Sequence, residues 1–446
     1  MVRIRLLVYA LIGVLVLCFL GAKGAVIAGA VKITHRFDFE LPMSWADDVS
    51  PWANYKVQRW DISDGGKPGK ALRIDGSAYE RTSTYEIRTI QFNHKPNTSV
   101  TIAFDIRAAS NPAGSFFMLR YFDGYCTGST FHWAADDEKR PLPPPLFDSR
   151  KTGLSQTWKR VSLTTPILKN TVVTFALIAQ QPDWTGDPDK PKYLDYYLDN
   201  LSITVEPLDK LMDSDFEWHG NYGSSTIEFR RNTMAANCDW CDFADQEEVA
   251  TPDGIIRYTL FQFRDASTQA LPGVRHENKH AGHYDAAWGS STICLVRNWG
   301  AGNLSAVSWG VRQTVSYTAL GLKSDETPKI RVRMKLSNAR EINSACRCQL
   351  GVDPWGGTIT QRAMWTELED VNIWSDQWGW RTHSLEFVRP KGSEAFTIYF
   401  RQRDGLPQPA RDQSYPPKPS EPQSQGSPGN SCSSFADWVL VDVLGK

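Results

Sequence analysis

The residues His276-Glu277-Asn278-Lys279-His280 satisfy H-E-x-x-H. On a helix that spacing puts two imidazoles on one face to hold zinc, with the glutamate as general base. His283 and Asp285 stand near enough in sequence to add ligands. The chemistry depends on the helix, and Pro272-Gly273 before the motif and Ala281-Gly282 after it oppose one. Lys279 also places a charge where such helices are apolar. A metal-dependent hydrolase therefore ranks below structural or adventitious metal binding by His276, His280 and His283. Other catalytic patterns are missing: no G-x-S-x-G elbow and no phosphate-binding loop occurs. Glu367 and Glu369 pair two carboxylates, but strand residues two apart share one face at about 7 Å and imply no glycosidase cleft. Cys238-x-x-Cys241 and Cys346-x-Cys348 could hold zinc, yet wide separation of the pairs and an export-type leader favour disulfides. The chain reads as non-catalytic.

The elements that must position any site are strands, and they come in two similar sets. Asp38-Phe39-Glu40 opens one set, which closes on Tyr196-Tyr197-Leu198-Asp199-Asn200. Asp215-Phe216-Glu217 opens another, which closes on Trp438-Val439-Leu440-Val441-Asp442. Between them W-x-x-x-S-L recurs at Trp158–Leu163 and Trp380–Leu385, and Val173-Thr174-Phe175 is answered by Phe396-Thr397-Ile398. A period this long exceeds the roughly 20–50 residues of solenoid repeats and indicates duplicated domains. Within them the alternation has period two. Val100, Ile102, Phe104 and Ile106 oppose Thr101, Asp105 and Arg107; Ile330, Val332, Met334 and Leu336 oppose Lys329, Arg331, Arg333 and Lys335. Each pattern is a half-buried antiparallel strand, the cations forming a solvated outer face. Helical periodicity is scarce. The expected fold is all-β, with two tandem antiparallel β-sandwiches at 31–207 and 208–446 and a boundary in Val205–Asp213. Residues 405–434, dense in Pro, Ser, Gln and Gly, read as a disordered loop inside the second domain, before a closing strand at Phe435.

With 49 basic and 50 acidic residues the net charge is −1, so no field draws nucleic acid. Residues 1–30 read as a targeting segment: Arg3 and Arg5, an apolar run from Leu6 to Leu20, and Ala28-Gly29-Ala30 as a cleavage site. Extension of the apolar run across 6–31 would make it a retained membrane anchor instead. Either way the bulk of the chain is expected outside the cytoplasm, secreted or at the cell surface. Beyond Cys18, six of the seven remaining cysteines lie in the second half. Cys126, alone in the first, is the expected free thiol.

The F-E opening, the W-x-x-x-S-L region and the Y-Y-L-D-N closing strand over 37–205 resemble the CenC-like carbohydrate-binding modules of the galactose-binding-like jelly-roll group. Gly351-Val352-Asp353-Pro354-Trp355-Gly356-Gly357-Thr358 resembles a signature of exported bacterial jelly-roll domains. The resemblance implies structural calcium, bound by carboxylates that the opening and closing strands bring together: Glu40 with Asp199, and Glu217 with Asp442. Asp38 and Asp215 are helpers, and ion pairing with arginine is the alternative use of these groups. It also implies sugar recognition, with pyranose faces packed on aromatic rings and hydroxyls bonded to polar side chains. The 17 Trp exceed what two sandwich cores comfortably hide. Trp133 and Trp184 on loops, with Tyr85, Arg88 and Gln91 lining a cleft, are candidates in the first domain. Trp355, Trp374 and Trp378 are those of the second. The expected partner is a polysaccharide or glycan. The alternative is an envelope or adhesion protein that binds other cell-envelope proteins.

Overall fold

Alternating apolar residues bury one face of strands such as those at 101–110 and 329–336, and most strands stack into two sandwiches. The computed structural model describes residues 31–40, 47–49, 60–76, 84–126, 143–181, 193–212, 214, 234–235, 239–245, 247–251, 254–258, 273–278, 291–297, 308–340, 347–366, 381–403 and 432–445. The first half contributes β1 (Ile33–Phe37), β2 (Asp47–Val49), β3 (Trp60–Asp64), β4 (Lys70–Asp75), β5 (Thr84–Asn93) and β6 (Thr101–Ser110). It continues with β7 (Phe116–Asp123), β8 (Tyr125–Cys126), β9 (Phe147–Asp148), β10 (Lys159–Thr164), β11 (Val172–Gln181) and β12 (Asp195–Val205). The second half adds β13 (Met234–Ala235), β14 (Cys241–Asp245), β15 (Glu247–Thr251), β16 (Gly254–Tyr258), β17 (Gly273–Asn278), β18 (Ser291–Arg297) and β19 (Ser308–Ser316). Then follow β20 (Lys329–Arg340), β21 (Arg347–Asp353), β22 (Met364–Trp365), β23 (Arg381–Val388), β24 (Ala395–Arg403) and β25 (Cys432–Leu444).

Two antiparallel sheets build each sandwich. In the first their orders are β10-β6-β12-β4-β3, with β1 also on β12, and β2-β5-β11-β7-β9. In the second they are β23-β20-β25-β18-β17 and β14-β19-β24-β21-β22. The orders coincide strand for strand: β10, β6 and β12 answer β23, β20 and β25, while β5, β11, β7 and β9 answer β19, β24, β21 and β22. Repeated sequence landmarks among the described residues fall on matching strands. Leu163 and Leu385 lie in β10 and β23; Val173-Thr174-Phe175 and Phe396-Thr397-Ile398 lie in β11 and β24. The closing segments lie in β12 and β25. The chain is a tandem of antiparallel jelly-roll sandwiches.

The cores follow from the alternation. Ile102, Phe104 and Ile106 pack with Ile90, Phe92 and Leu198 in the first. Ile330, Val332, Met334 and Leu336 pack with Leu350, Ile398 and Phe400 in the second. Each such burial contributes about 1.5–3 kcal/mol relative to exposure. One core crosses the repeat, because Ile359 of the second half packs in the first core. The segment after β12 is no free linker. Leu208 is buried and bridges Val315 in parallel, and its carbonyl accepts from Ser316 N at 2.8 Å. Residues Ile33–Lys446 form one compact unit.

Two expectations change here, and a third is only partly covered. The closing strand begins at Cys432, so the end of the 405–434 segment is strand, paired with β18 and β20. The rest of that segment lies outside the described residues. His276-Glu277-Asn278 is extended in β17 and paired with β18, so the backbone there lacks the helix that zinc peptidase chemistry needs. Among the described residues Cys126, Cys241 and Cys348 are buried and form no disulfide with one another, while Cys238 and Cys346 lie outside the described residues.

His35, on β1, is buried with its ring 4.9 Å from that of Phe92. Burial, and then the charge of Arg312, lower its pKa to about 3. The folded state keeps this imidazole neutral while the unfolded chain protonates it below its ordinary value of about 6.5. Its contribution to stability is therefore present above pH 6.5 and lost as pH falls toward 3, at about 1.4 kcal/mol per pH unit. Urea unfolding from pH 7 to 4 should show a shallower loss for His35→Phe than for the native chain; parallel curves would contradict this.

Candidate functional site

The opening and closing strands of the first sandwich lie side by side. β1 pairs with β12 from Ile33↔Val205 to Phe37↔Leu201. Just past that ladder Phe39 and Asn200 both take left-handed backbone, φ 56° and 49°. Asparagine tolerates that region; phenylalanine does so at a cost of order 1 kcal/mol or more, sustained here by its buried ring. The two turns aim Glu40 and Asp199 at one short hairpin, Lys67–Lys70. Glu40 Oε1 accepts from Lys70 N at 2.8 Å. Asp199 accepts from Lys67 N through Oδ2 and from Asn200 N at 2.6 Å through Oδ1. Gly69 between them has φ +82°, and a Cβ there would lie 2.0 Å from Glu40 Oε1. Only glycine lets the hairpin approach the carboxylate.

Asp105, on β6, is a third carboxylate at this spot. Asn200 Nδ2 donates to its Oδ2 at 3.0 Å, Arg160 Nη1 lies 3.6 Å from Oδ2, and Lys67 Nζ lies 3.8 Å from Oδ1. Asp105 Oδ1 is buried with no hydrogen-bond partner. Burial, with repulsion from Asp105 and Glu40, raises the pKa of Asp199 against the two backbone N–H groups that lower it. The expected juxtaposition of Glu40 and Asp199 is therefore present as a mutually repelling group. Among the described residues no three acidic, histidine or cysteine side chains are gathered tightly enough to ligate one ion as they stand. The donor type nevertheless fits calcium: hard oxygens alone, one of them orphaned and buried. The corresponding group of the second sandwich is engaged differently. Arg333 holds Asp442 through Nε at 3.0 Å and Nη2 at 2.9 Å, and Glu217 lies outside the described residues.

Arg88 and Gln91, expected on a strand lining a cleft, are on strand β5, where both are buried. Gln91 is 1% exposed because the outer face of β5 lies against β14 and β19. Arg312 Nη2 donates to its carbonyl, and its own Nε2 donates to Cys126 O at 3.4 Å. Arg88, on the alternate side of β5, is buried as well. Tyr85 is placed on β5 by its backbone alone. Trp133, Trp184, Trp374 and Trp378 lie outside the described residues.

Trp355 is where an aromatic faces water: it is 63% exposed. The loop beneath it is rigidly built. Asp353, buried at the end of β21, accepts from Trp355 N at 2.8 Å through Oδ1. Burial raises its pKa, against the N–H groups of Trp355 and Gly357 and the charge of Arg362, which lower it. Gly356 has φ +70°, and a Cβ on Gly357 would lie 2.3 Å from Asp353 Oδ2. Pro354 O is held by Tyr317 Oη at 2.7 Å and Ser393 Oγ at 2.9 Å. Such a turn spends its polar groups on itself and leaves one indole in solvent, suited to stacking on a flat apolar face.

No family model and no curated protein matches the chain. Among solved structures it is similar to the CBM22-1-CBM22-2 tandem domain of Paenibacillus barcinonensis Xyn10C, at 9% identity over 94% of this chain and 99% of that one, with a TM-score of 0.26. It is similar to a cleaved adhesin domain of Lys-gingipain from Porphyromonas gingivalis, at 11% identity over 39% of this chain and 98% of that one, TM-score 0.26. The family 11 carbohydrate-binding module of Clostridium thermocellum Lic26A-Cel5E aligns at 11% identity over 43% of this chain and 100% of that one, TM-score 0.22. The sandwich architecture itself stands on this chain's own strand pairing.

Proposed function

We propose that this is an exported, non-catalytic protein that binds carbohydrate at the cell surface or outside the cell. The observation that carries the reading is Trp355, exposed on a loop fixed by Asp353, Gly356 and Gly357. A preformed aromatic platform loses little freedom on binding, and a pyranose presents the apolar C–H face that such a ring accepts. The leader-like sequence of residues 1–30 supports export, and the extended backbone of His276-Glu277-Asn278 favours binding over zinc-dependent hydrolysis. A second reading, contact with other envelope proteins, draws on Val388 and Leu440, exposed at 59% and 41% beside the Arg331, Arg333 and Glu386 ion pairs.

Calcium is proposed as a structural ligand of the first sandwich, held by Glu40, Asp105 and Asp199. The ion would supply the positive charge that this group now draws from Lys67, Arg160 and backbone N–H groups.

On a glycan array, Trp355→Ala should lose at least tenfold in affinity for any sugar the native protein retains, with unchanged circular dichroism. Retained affinity, or an array without signal alongside capture of an envelope protein, would move the assignment to protein contact. Asp353→Ala should lower unfolding free energy by about 1–3 kcal/mol in urea titration, since the N–H of Trp355 loses its acceptor. Calcium should raise the melting temperature of the native chain and leave Asp199→Asn unmoved. Equal shifts in both would remove calcium from this site.

A further inference from the structure

Among the described residues of the second sandwich two arginines, Arg312 and Arg389, are buried, and one of them is provided for. Arg389 donates from Nε and Nη2 to Ser393 O at 3.0 and 2.7 Å, and from Nη1 to Lys323 O and Glu326 O, with Glu394 at 3.9 Å. Arg312, 1% exposed on β19 where the sandwiches meet, donates only from Nη2, to Gln91 O. Its Nε and Nη1 are buried with no hydrogen-bond partner, and among the described residues no carboxylate pairs with it. A guanidinium cannot shed its charge at any ordinary pH, so burial leaves both the charge and the donors to be met. Among the described residues two rings lie close to it. The Phe92 ring lies 5.4 Å from Cζ, and the same ring lies 4.9 Å from that of His35. His35 Nε2 is likewise buried without a partner.

We propose that Arg312 and His35 form a buried site for a small monovalent anion, chloride being the simplest, that completes the joint between the sandwiches. The anion accepts from Arg312 Nε or Nη1, and from His35 Nε2 in the tautomer that protonates it. It balances a charge that the described protein groups leave standing. Arg312, His35 and Phe92 are all buried, which disfavours a bulky or strongly hydrated ion. Because it binds the folded chain alone, it stabilises by mass action. This site is separate from Trp355 and from the carboxylate group, and stands whether or not either binds its ligand.

The test is thermal unfolding of the full chain in sodium chloride against sodium gluconate at equal ionic strength. Chloride should raise the melting temperature by on the order of a few degrees, saturably, where bulky gluconate does not. Arg312→Met should lose the difference. If that variant fails to fold, crystals of the native protein grown in bromide give the same reading, with an anomalous peak beside Arg312 expected. Equal melting curves in the two salts, or bromide found only elsewhere, would overturn the proposal and assign the counter-charge to another part of this chain.

Discussion

Strand β5 is buried on both faces, and much of the molecule follows from that. Its inner residues, Ile90 and Phe92, lie in the first core. Its outer residues, Thr89, Gln91 and Asn93, are equally buried but polar, so each needs a partner. The second sandwich meets much of that need. Thr314 N donates to Asn93 Oδ1 at 3.0 Å, Asn93 Nδ2 donates to Asp239 O at 2.8 Å, and Gln91 O accepts from Arg312. Gln313 Nε2 ties the same Asp239 carbonyl and Met212 O together, at 3.1 and 3.0 Å, which docks the connector. A joint made of directional hydrogen bonds fixes orientation in a way that apolar contact alone does not.

That joint closes one sheet face to any ligand, and the exposed aromatic, Trp355, stands instead on the loop Asp353–Gly357. The copies differ. The first keeps the group of repelling carboxylates near its opening and closing strands. The second turns its closing-strand Asp442 to Arg333 and carries the exposed indole.

The fold was legible because duplication left its landmarks in register, and period-two alternation marks β6 and β20 without ambiguity. The meeting of Glu40 with Asp199 was legible through the resemblance, since a jelly roll pairs its opening and closing strands. The joint was not read, although its signal was present. Outer faces of solvated strands carry Lys and Glu, as β20 does with Lys329, Arg331 and Arg333. The outer residues of β5 are Thr89, Gln91 and Asn93, and those of β19 are Gly310, Thr314 and Ser316 around a lone Arg312. Uncharged polar residues in that alternation mark a face covered by another part of the chain. Asp105 escaped notice because it obeys the alternation and looks like a solvated residue. Only the fold shows that Asp199 and Asn200 cover it.

The central claim, that the polar face of β5 makes the sandwiches one body, is tested most directly by hydrogen exchange read at the Thr314 amide, whose acceptor is Asn93 Oδ1 across the joint. The joint predicts exchange only through global unfolding, with the same free energy as core amides of β6 and β20, and a loss of that protection in Asn93→Ala. Fast exchange at Thr314 in the native chain, while both cores stay protected, would show sandwiches that part freely and would contradict the account.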